Sequence, residues 1–207
     1  MSIPVHKTGI MGGTFDPIHI GHLFLAEQAY DQLGLDTILF IPSGNPPHKR
    51  HREGRATDRQ RVDMVRLAIK GNPHFALSLT EMEQEGYSYT YQTLERLRAE
   101  HPDTAYTFII GEDSLLAFET WREPQRICDA CTLAVAIRSE RTAHSLAKEI
   151  AAVSQRLSGT FTDLHTPFLE ISSEAIRTSV REKRSIRYLV PEAVRLYIEE
   201  HQIYQEV

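Results

Sequence analysis

The chain has 207 residues, a length that favours one compact domain or one with a small appendage. Its apolar fraction of 41% and charged fraction of 25% are those of an ordinary soluble globular protein. A net charge of -5 argues against broad nucleic-acid binding. No secretory pattern opens the chain and no long uncharged apolar run could span a bilayer, so no membrane role and a cytoplasmic location are expected.

The first predicted element is a strand, Lys7 to Met11, followed by a glycine turn and an amphipathic helix from Leu23 to Leu33. Thr37 to Ile41 reads as a second strand, stopped by Pro42. Ser43 to Ala56 is polar, basic and proline-broken, and reads as a surface loop. Thr57 and Gln60 have capping-box spacing at the start of a helix whose apolar side is Val62, Val65, Leu67, Ala68 and Ile69, with Gly71 as its stop. Phe75 to Leu79 is a third strand, and a helix from about Thr90 to Glu100 places Leu94 and Leu97 on one face. Ala105 to Ile110 and Thr132 to Ile137 are further strands, then come a helix from about Thr142 to Leu157 and a last strand near Thr160 to Leu164. Ile171 to Arg177 opens as a serine-capped helix, and Pro191 sits in the first turn of a final helix carrying Val194, Tyr197 and Ile198 on one side.

Alternation of strand and helix predicts an α/β fold: a Rossmann-like, doubly wound parallel sheet. A small C-terminal helical part over about 171–207 completes a single domain of 1–207. The two cysteines form Cys128-Asp-Ala-Cys131. A zinc site needs about four ligands and no second pair follows, so buried, inert thiols are expected.

The stretch richest in chemistry is Gly12-Gly13-Thr14-Phe15-Asp16-Pro17-Ile18-His19-Ile20-Gly21-His22. Adjacent glycines let backbone N–H groups approach a ligand, and a helix start supplies donors and partial positive charge for phosphate. His19 and His22 could bind a metal, but no third protein ligand has a defined spacing. Their N–H groups suit charge developing at phosphorus. Asp16-Pro17 reads as a common turn starter.

This string resembles the signature of the HxGH nucleotidyltransferases. Further segments, in order, narrow the resemblance to the bacterial nicotinate mononucleotide adenylyltransferases and extend it over essentially the whole chain: Pro46-Pro47-His48-Lys49, Ser88 to Leu94, Ile109 to Ser114, Thr120-Trp121, Ile171 to Arg177 and Tyr188 to Val194. The resemblance implies AMP transfer from ATP to nicotinate mononucleotide by direct in-line attack, giving deamido-NAD and pyrophosphate. It implies magnesium on the ATP phosphates, with no protein ligand assigned to the ion.

Residue by residue, the resemblance implies an ATP side made of Gly12, Gly13, Thr14, Phe15, His19, His22, Gly111, Asp113, Ser172, Ser173 and Arg177. Of these, His19, His22 and Arg177 would be catalytic, His22 foremost. Arg138 is a further phosphate candidate, or a solvated surface arginine. The mononucleotide side would comprise Gly13, Thr14, Ser43, His48, Lys49, Thr90 and Trp121. Thr90 also reads as a helix cap, Trp121 as a core or interface anchor, and Asp113 as a cap that could still meet a ligand.

The chain departs from the family at Ser43-Gly44, where Asn is frequent, and at Glu182-Lys183-Arg184-Ser185, which lacks the glycine of a Gly-x-Ser element. A nicotinamide mononucleotide or pantetheine phosphate enzyme of the same superfamily, and a catalytically silent nucleotide sensor, are the alternative readings. ATP and the mononucleotide are the expected partners, with a homo-oligomer as a base-rate expectation.

Overall fold

Runs of β-branched and aromatic residues that are apolar on both faces produce strands buried on both sides, the pattern of a helix-covered parallel sheet. The computed structural model of the chain describes residues 6–44, 54–83, 86–137, 140–167 and 169–205. Its strands are β1 (His6–Gly13), β2 (Thr37–Pro42), β3 (Phe75–Leu77), β4 (Thr104–Gly111), β5 (Thr132–Ile137) and β6 (Phe161–His165). They form one six-stranded parallel sheet in the order β3-β2-β1-β4-β5-β6. The parallel register pairs Gly9 with Thr107, Ile109 with Ala134 and Ala134 with Thr162. The Rossmann-like expectation is borne out.

The helices are α1 (Ile20–Leu33), α2 (Asp58–Ile69), α3 (Thr90–Glu100), α4 (Glu112–Leu116), α5 (Pro124–Ala130), α6 (Glu140–Arg156), α7 (Ser173–Arg181) and α8 (Glu192–Glu200), with a 3-10 turn at Phe118–Thr120. None of them is long and apolar enough to cross a membrane. Two compact units are distinguishable by their internal packing.

The first unit comprises Met1–Met11, Leu25–Leu39 and Tyr89–Phe168. Its centre is β5, where Leu133, Ala134, Val135 and Ala136 are fully buried, with Phe118, Ile127 and Leu164 equally enclosed. Gly9 is required by close packing, since a Cβ there would lie 2.6 Å from Ile38 Cδ1. Cys128 and Cys131 are buried and unbridged. Burial pushes the Cys128 thiol up to about 11 and the Cys131 thiol up to about 12, so both stay protonated and inert, as expected.

The second unit comprises Gly12–Phe24, Phe40–Ser88 and Leu169–Val207. Here α2 opens with the predicted capping box: Thr57 Oγ1 accepts from Gln60 N at 3.3 Å, and Gln60 Oε1 from Thr57 N at 2.8 Å. Its buried face is Arg61, Val62, Met64, Val65 and Ile69; Leu67 and Ala68 are only half-buried. Strand β3 ends at Leu77, short of the expected Leu79, because Leu79 O accepts from both Met82 N and Glu83 N and so begins a turn. Helix α7 closes with Lys183 N bonded to Val180 O and Arg184 N to Ser179 O, a Schellman motif. Lys183 holds the left-handed position, φ 55°, where glycine is usual. The chain's missing glycine therefore leaves the turn type intact, at a local cost.

Candidate active site

In the second unit, α1 begins at Ile20, three residues before the expected Leu23, so His22 lies in its first turn and His19 just ahead of it. Three donors of that turn already have partners: Ile20 N bonds Leu189 O, and His22 N and Leu23 N bond His19 O. The helix start therefore offers a ligand fewer backbone donors than the bare motif suggests.

The His19 and His22 rings stack with centroids 3.7 Å apart, as their spacing of three across a helix start allows. His19 N donates to His22 Nδ1 at 3.3 Å. An acceptor Nδ1 puts the proton of neutral His22 on Nε2, making that nitrogen the ring's donor. Phe15 meets the His22 ring edge-on at 5.1 Å and holds its orientation.

Phe15 is 2% exposed, a core residue beneath the motif. Its φ of 50° is an uncommon conformation for a bulky residue, costing about 1–3 kcal/mol, and burial holds it there. Gly13 makes room for it, as a Cβ there would lie 3.1 Å from the ring. Gly13 O accepts from Ser43 N at 2.8 Å, and Thr14 O accepts from Arg61 Nη1 at 2.7 Å. Because trans peptides are planar, pinning these carbonyls turns the following N–H groups, of Thr14 and Phe15, to the opposite side.

Helix α7 supplies the next residues. Ser172 caps it, accepting from Ala175 N at 3.1 Å. Ser173 Oγ donates its one proton to Pro17 O at 2.9 Å, leaving only acceptor capacity. Arg177 Nη1 donates to Asp16 O at 2.6 Å and lies 3.8 Å from Asp16 Oδ2. Burial pulls Arg177 below the ordinary arginine value, the neighbouring Arg55 acts the same way, and Asp16 opposes both.

Three residues central to this arrangement escaped the sequence reading. Asp16, taken for a turn starter, is 1% exposed and accepts from Arg55 Nη1 at 3.0 Å, Ala56 N at 3.1 Å and Tyr204 OH at 2.8 Å. Arg61 is 3% exposed on the apolar face of α2, and bonds Ser43 O at 2.8 Å and Asp58 at 2.7 Å besides Thr14 O. Tyr204 is 188 positions from its partner, beyond any motif. The only available signal was a charged residue at an apolar helix position, Arg61, whose burial demands acceptors.

Position 44 has room only for glycine, since a Cβ there would lie 2.0 Å from Glu81 O. Ser88 Oγ donates to that same carbonyl at 3.3 Å. The predicted residues His48, Lys49 and Arg138 lie outside the described residues.

The first unit carries the other predicted residues. Gly111 ends β4, and Asp113 is an exposed member of α4, its carbonyl accepting from Ala117 N at 3.2 Å. Gly111, not Asp113, is the capping residue there. Thr90 is the first residue of α3; the cap position is Tyr89, whose side chain makes no capping bond. Trp121 is half-buried, its ring 5.5 Å from Phe118 and 6.2 Å edge-on from Phe108. Among the described residues, no group of three or more His, Cys, Asp or Glu is arranged to hold a metal.

Residues 10–179 match the family model described as cytidylyltransferase-like. A probable nicotinate-nucleotide adenylyltransferase of Lachnoclostridium phytofermentans is 41% identical over 200 residues, covering 97% of this chain and 100% of its own. Its namesake in Bacillus pumilus is 42% identical over 199 residues, 96% of this chain and 98% of its own. Among solved structures, Plasmodium falciparum nicotinic acid mononucleotide adenylyltransferase complexed with NaAD matches with a TM-score of 0.76 at 18% identity, covering 96% of this chain and 97% of that one. At that identity the likeness speaks for the fold.

Proposed function

The chain belongs to the nicotinate-nucleotide adenylyltransferases, within the cytidylyltransferase-like family, and we propose on that footing that it transfers AMP from ATP to nicotinate mononucleotide. A phosphate oxygen of the mononucleotide attacks the α-phosphorus of ATP. The bond from that phosphorus to the β-bridging oxygen breaks, and deamido-NAD and pyrophosphate result. The phosphate is already the nucleophile, so the protein supplies position and charge.

The observation that carries the reading is that Ser173 and Arg177 of α7 bond Pro17 and Asp16 in the same short segment whose end carries the stacked His19 and His22. The Nε2–H of His22 is a preorganised donor for charge growing on the α-phosphoryl oxygens, and His19 stacks behind it. The guanidinium of Arg177 adds a forked cation for the leaving pyrophosphate. The Thr14 main chain, on the side opposite the pinned Gly13 carbonyl, would lie against phosphate oxygens of either substrate. Gly111 and Asp113 would serve the adenosine end, the carboxylate accepting from ribose hydroxyls. Thr90 and Trp121 would serve the pyridine end.

Magnesium would travel on the ATP phosphates and neutralise their charge there. Asp16 does not suit it as a ligand, because its carboxylate is already taken by Arg55, Ala56 and Tyr204. Pyrophosphate release from ATP and magnesium, followed with each mononucleotide in turn, tests the assignment. Nicotinate mononucleotide is expected to give the fastest release; equal or faster release with the amide would overturn the acceptor.

A further inference from the structure

Asp16 is the point where two cations compete for one anion. Its carboxylate holds Arg55 at 3.0 Å, while Arg177 Nη1 sits on the main-chain carbonyl at 2.6 Å and 3.8 Å short of the carboxylate. The second carboxylate oxygen, Oδ1, is occupied by neutral donors alone, Tyr204 OH at 2.8 Å and Ala56 N at 3.1 Å. Burial and the adjacent Asp16 charge raise Tyr204 far above its usual value, so it remains an O–H donor.

Two backbone outliers flank this cluster. Phe15, next to Asp16, has φ 50°, and Tyr204 has φ 65°. A buried tyrosine in the left-handed region is a costly way to deliver one hydroxyl, and such strain persists only where its surroundings over-determine it.

We propose that Tyr204 is a positioning residue for the transfer: by occupying Asp16 Oδ1 it keeps Arg177 on the Asp16 carbonyl, so that the guanidinium charge stays available to a polyphosphate. This rests on the reading that Arg177 meets the nucleotide phosphates. Without the hydroxyl, Oδ1 loses its side-chain donor, the buried carboxylate carries more uncompensated charge, and Arg177, whose Nη1 lies 3.8 Å from Oδ2, is drawn off the carbonyl toward the carboxylate. The cation then leaves the reacting phosphates, and kcat falls while the mononucleotide KM stays put.

The test is a kinetic double-mutant cycle with ATP, magnesium and nicotinate mononucleotide. Tyr204→Phe is expected to lower kcat about tenfold, with the mononucleotide KM unchanged within about twofold. In an Asp16→Asn background the same substitution should have no further effect, because the charge that attracts Arg177 is gone. A folded Tyr204→Phe protein with wild-type kcat and only a lowered Tm would overturn the proposal. So would equal effects of Tyr204→Phe in both backgrounds.

Should Tyr204→Phe fail to fold, Arg55→Gln carries the same question, since it frees Oδ2 at a partly exposed side chain, 28% accessible. It too must lower kcat, and an unchanged kcat contradicts the proposal. An active wild type whose Arg177→Gln variant keeps full kcat would instead remove the phosphate role of Arg177, and the proposal with it. An inactive wild type would overturn the proposed function itself.

Discussion

Arg61 joins two strand-end loops through single carbonyls, and removing it has a computable consequence. In Arg61→Met, Thr14 O and Ser43 O lose donors at 2.7 Å and 2.8 Å inside a site where the side chain is 4% exposed. Each of these part-buried acceptors left without its donor costs up to about 1–3 kcal/mol, so the pair costs at most roughly 2–6 kcal/mol. The Asp58 contact adds little, since that carboxylate is 62% exposed. At about 2–4 °C per kcal/mol for a chain of this size, a central cost of about 4 kcal/mol lowers Tm by roughly 8–16 °C. Arg61→Lys keeps the charge but not the fork, and should lose about half as much. Thermal unfolding followed by circular dichroism measures both. Below the transition, release of the Thr14 and Ser43 carbonyls should raise the mononucleotide KM more than the ATP KM. A Tm within about 2 °C of wild type for Arg61→Met would refute the clamp.

Further outcomes follow from the same geometry. His22→Ala should lower kcat by about 10² or more, and a folded variant with near-normal turnover would remove its role at the reacting phosphorus. Lys183→Gly relieves the left-handed φ of 55° at the end of α7 and should stabilise by roughly 0.5–1 kcal/mol without changing kcat; calorimetry checks it, and a fall in Tm contradicts the Schellman assignment. Cys131, raised to about 12 from an ordinary 9.0, keeps its proton in the folded state while the unfolded chain loses it. Its contribution to stability is therefore full below about pH 9 and declines as pH rises from there toward 12. Alkaline melts of wild type and Cys131→Ala should show the shallower decline in the variant; parallel slopes would contradict the buried, protonated thiol.

The architecture was readable because it rests on local patterns. Continuous apolar runs such as Thr132 to Ile137 predict a doubly covered strand, and the Thr57–Gln60 spacing predicts a cap that is present atom for atom. Elements of five or seven residues, α4 and α5, carry too few turns for a 3.6-residue period to register, so the sequence reading set them no bounds beyond a cap at Asp113 and a helix end at the cysteines. The short β3 shows the same limit, since its end is decided by the turn at Leu79.

The candidate site divides similarly. His19, His22, Ser173 and Arg177 stand in recognisable strings. Asp16, Arg61 and Tyr204 act through partners 40, 47 and 188 positions away. Nothing local distinguishes a buried aspartate hub from an Asp-Pro turn, because what sets its role is the convergence of distant donors. The glycine at position 44 is of this kind too: the pressure against a side chain comes from Glu81 O, not from the neighbouring sequence.

The most direct test of the central claim follows the phosphorus itself. Enzyme in excess is mixed with ATP labelled at the α-phosphate, magnesium and nicotinate mononucleotide, and the products of a single turnover are separated. The account predicts that the label appears in deamido-NAD, with one pyrophosphate released per dinucleotide formed. Label remaining in ATP, or appearing in free AMP without a dinucleotide, would contradict it.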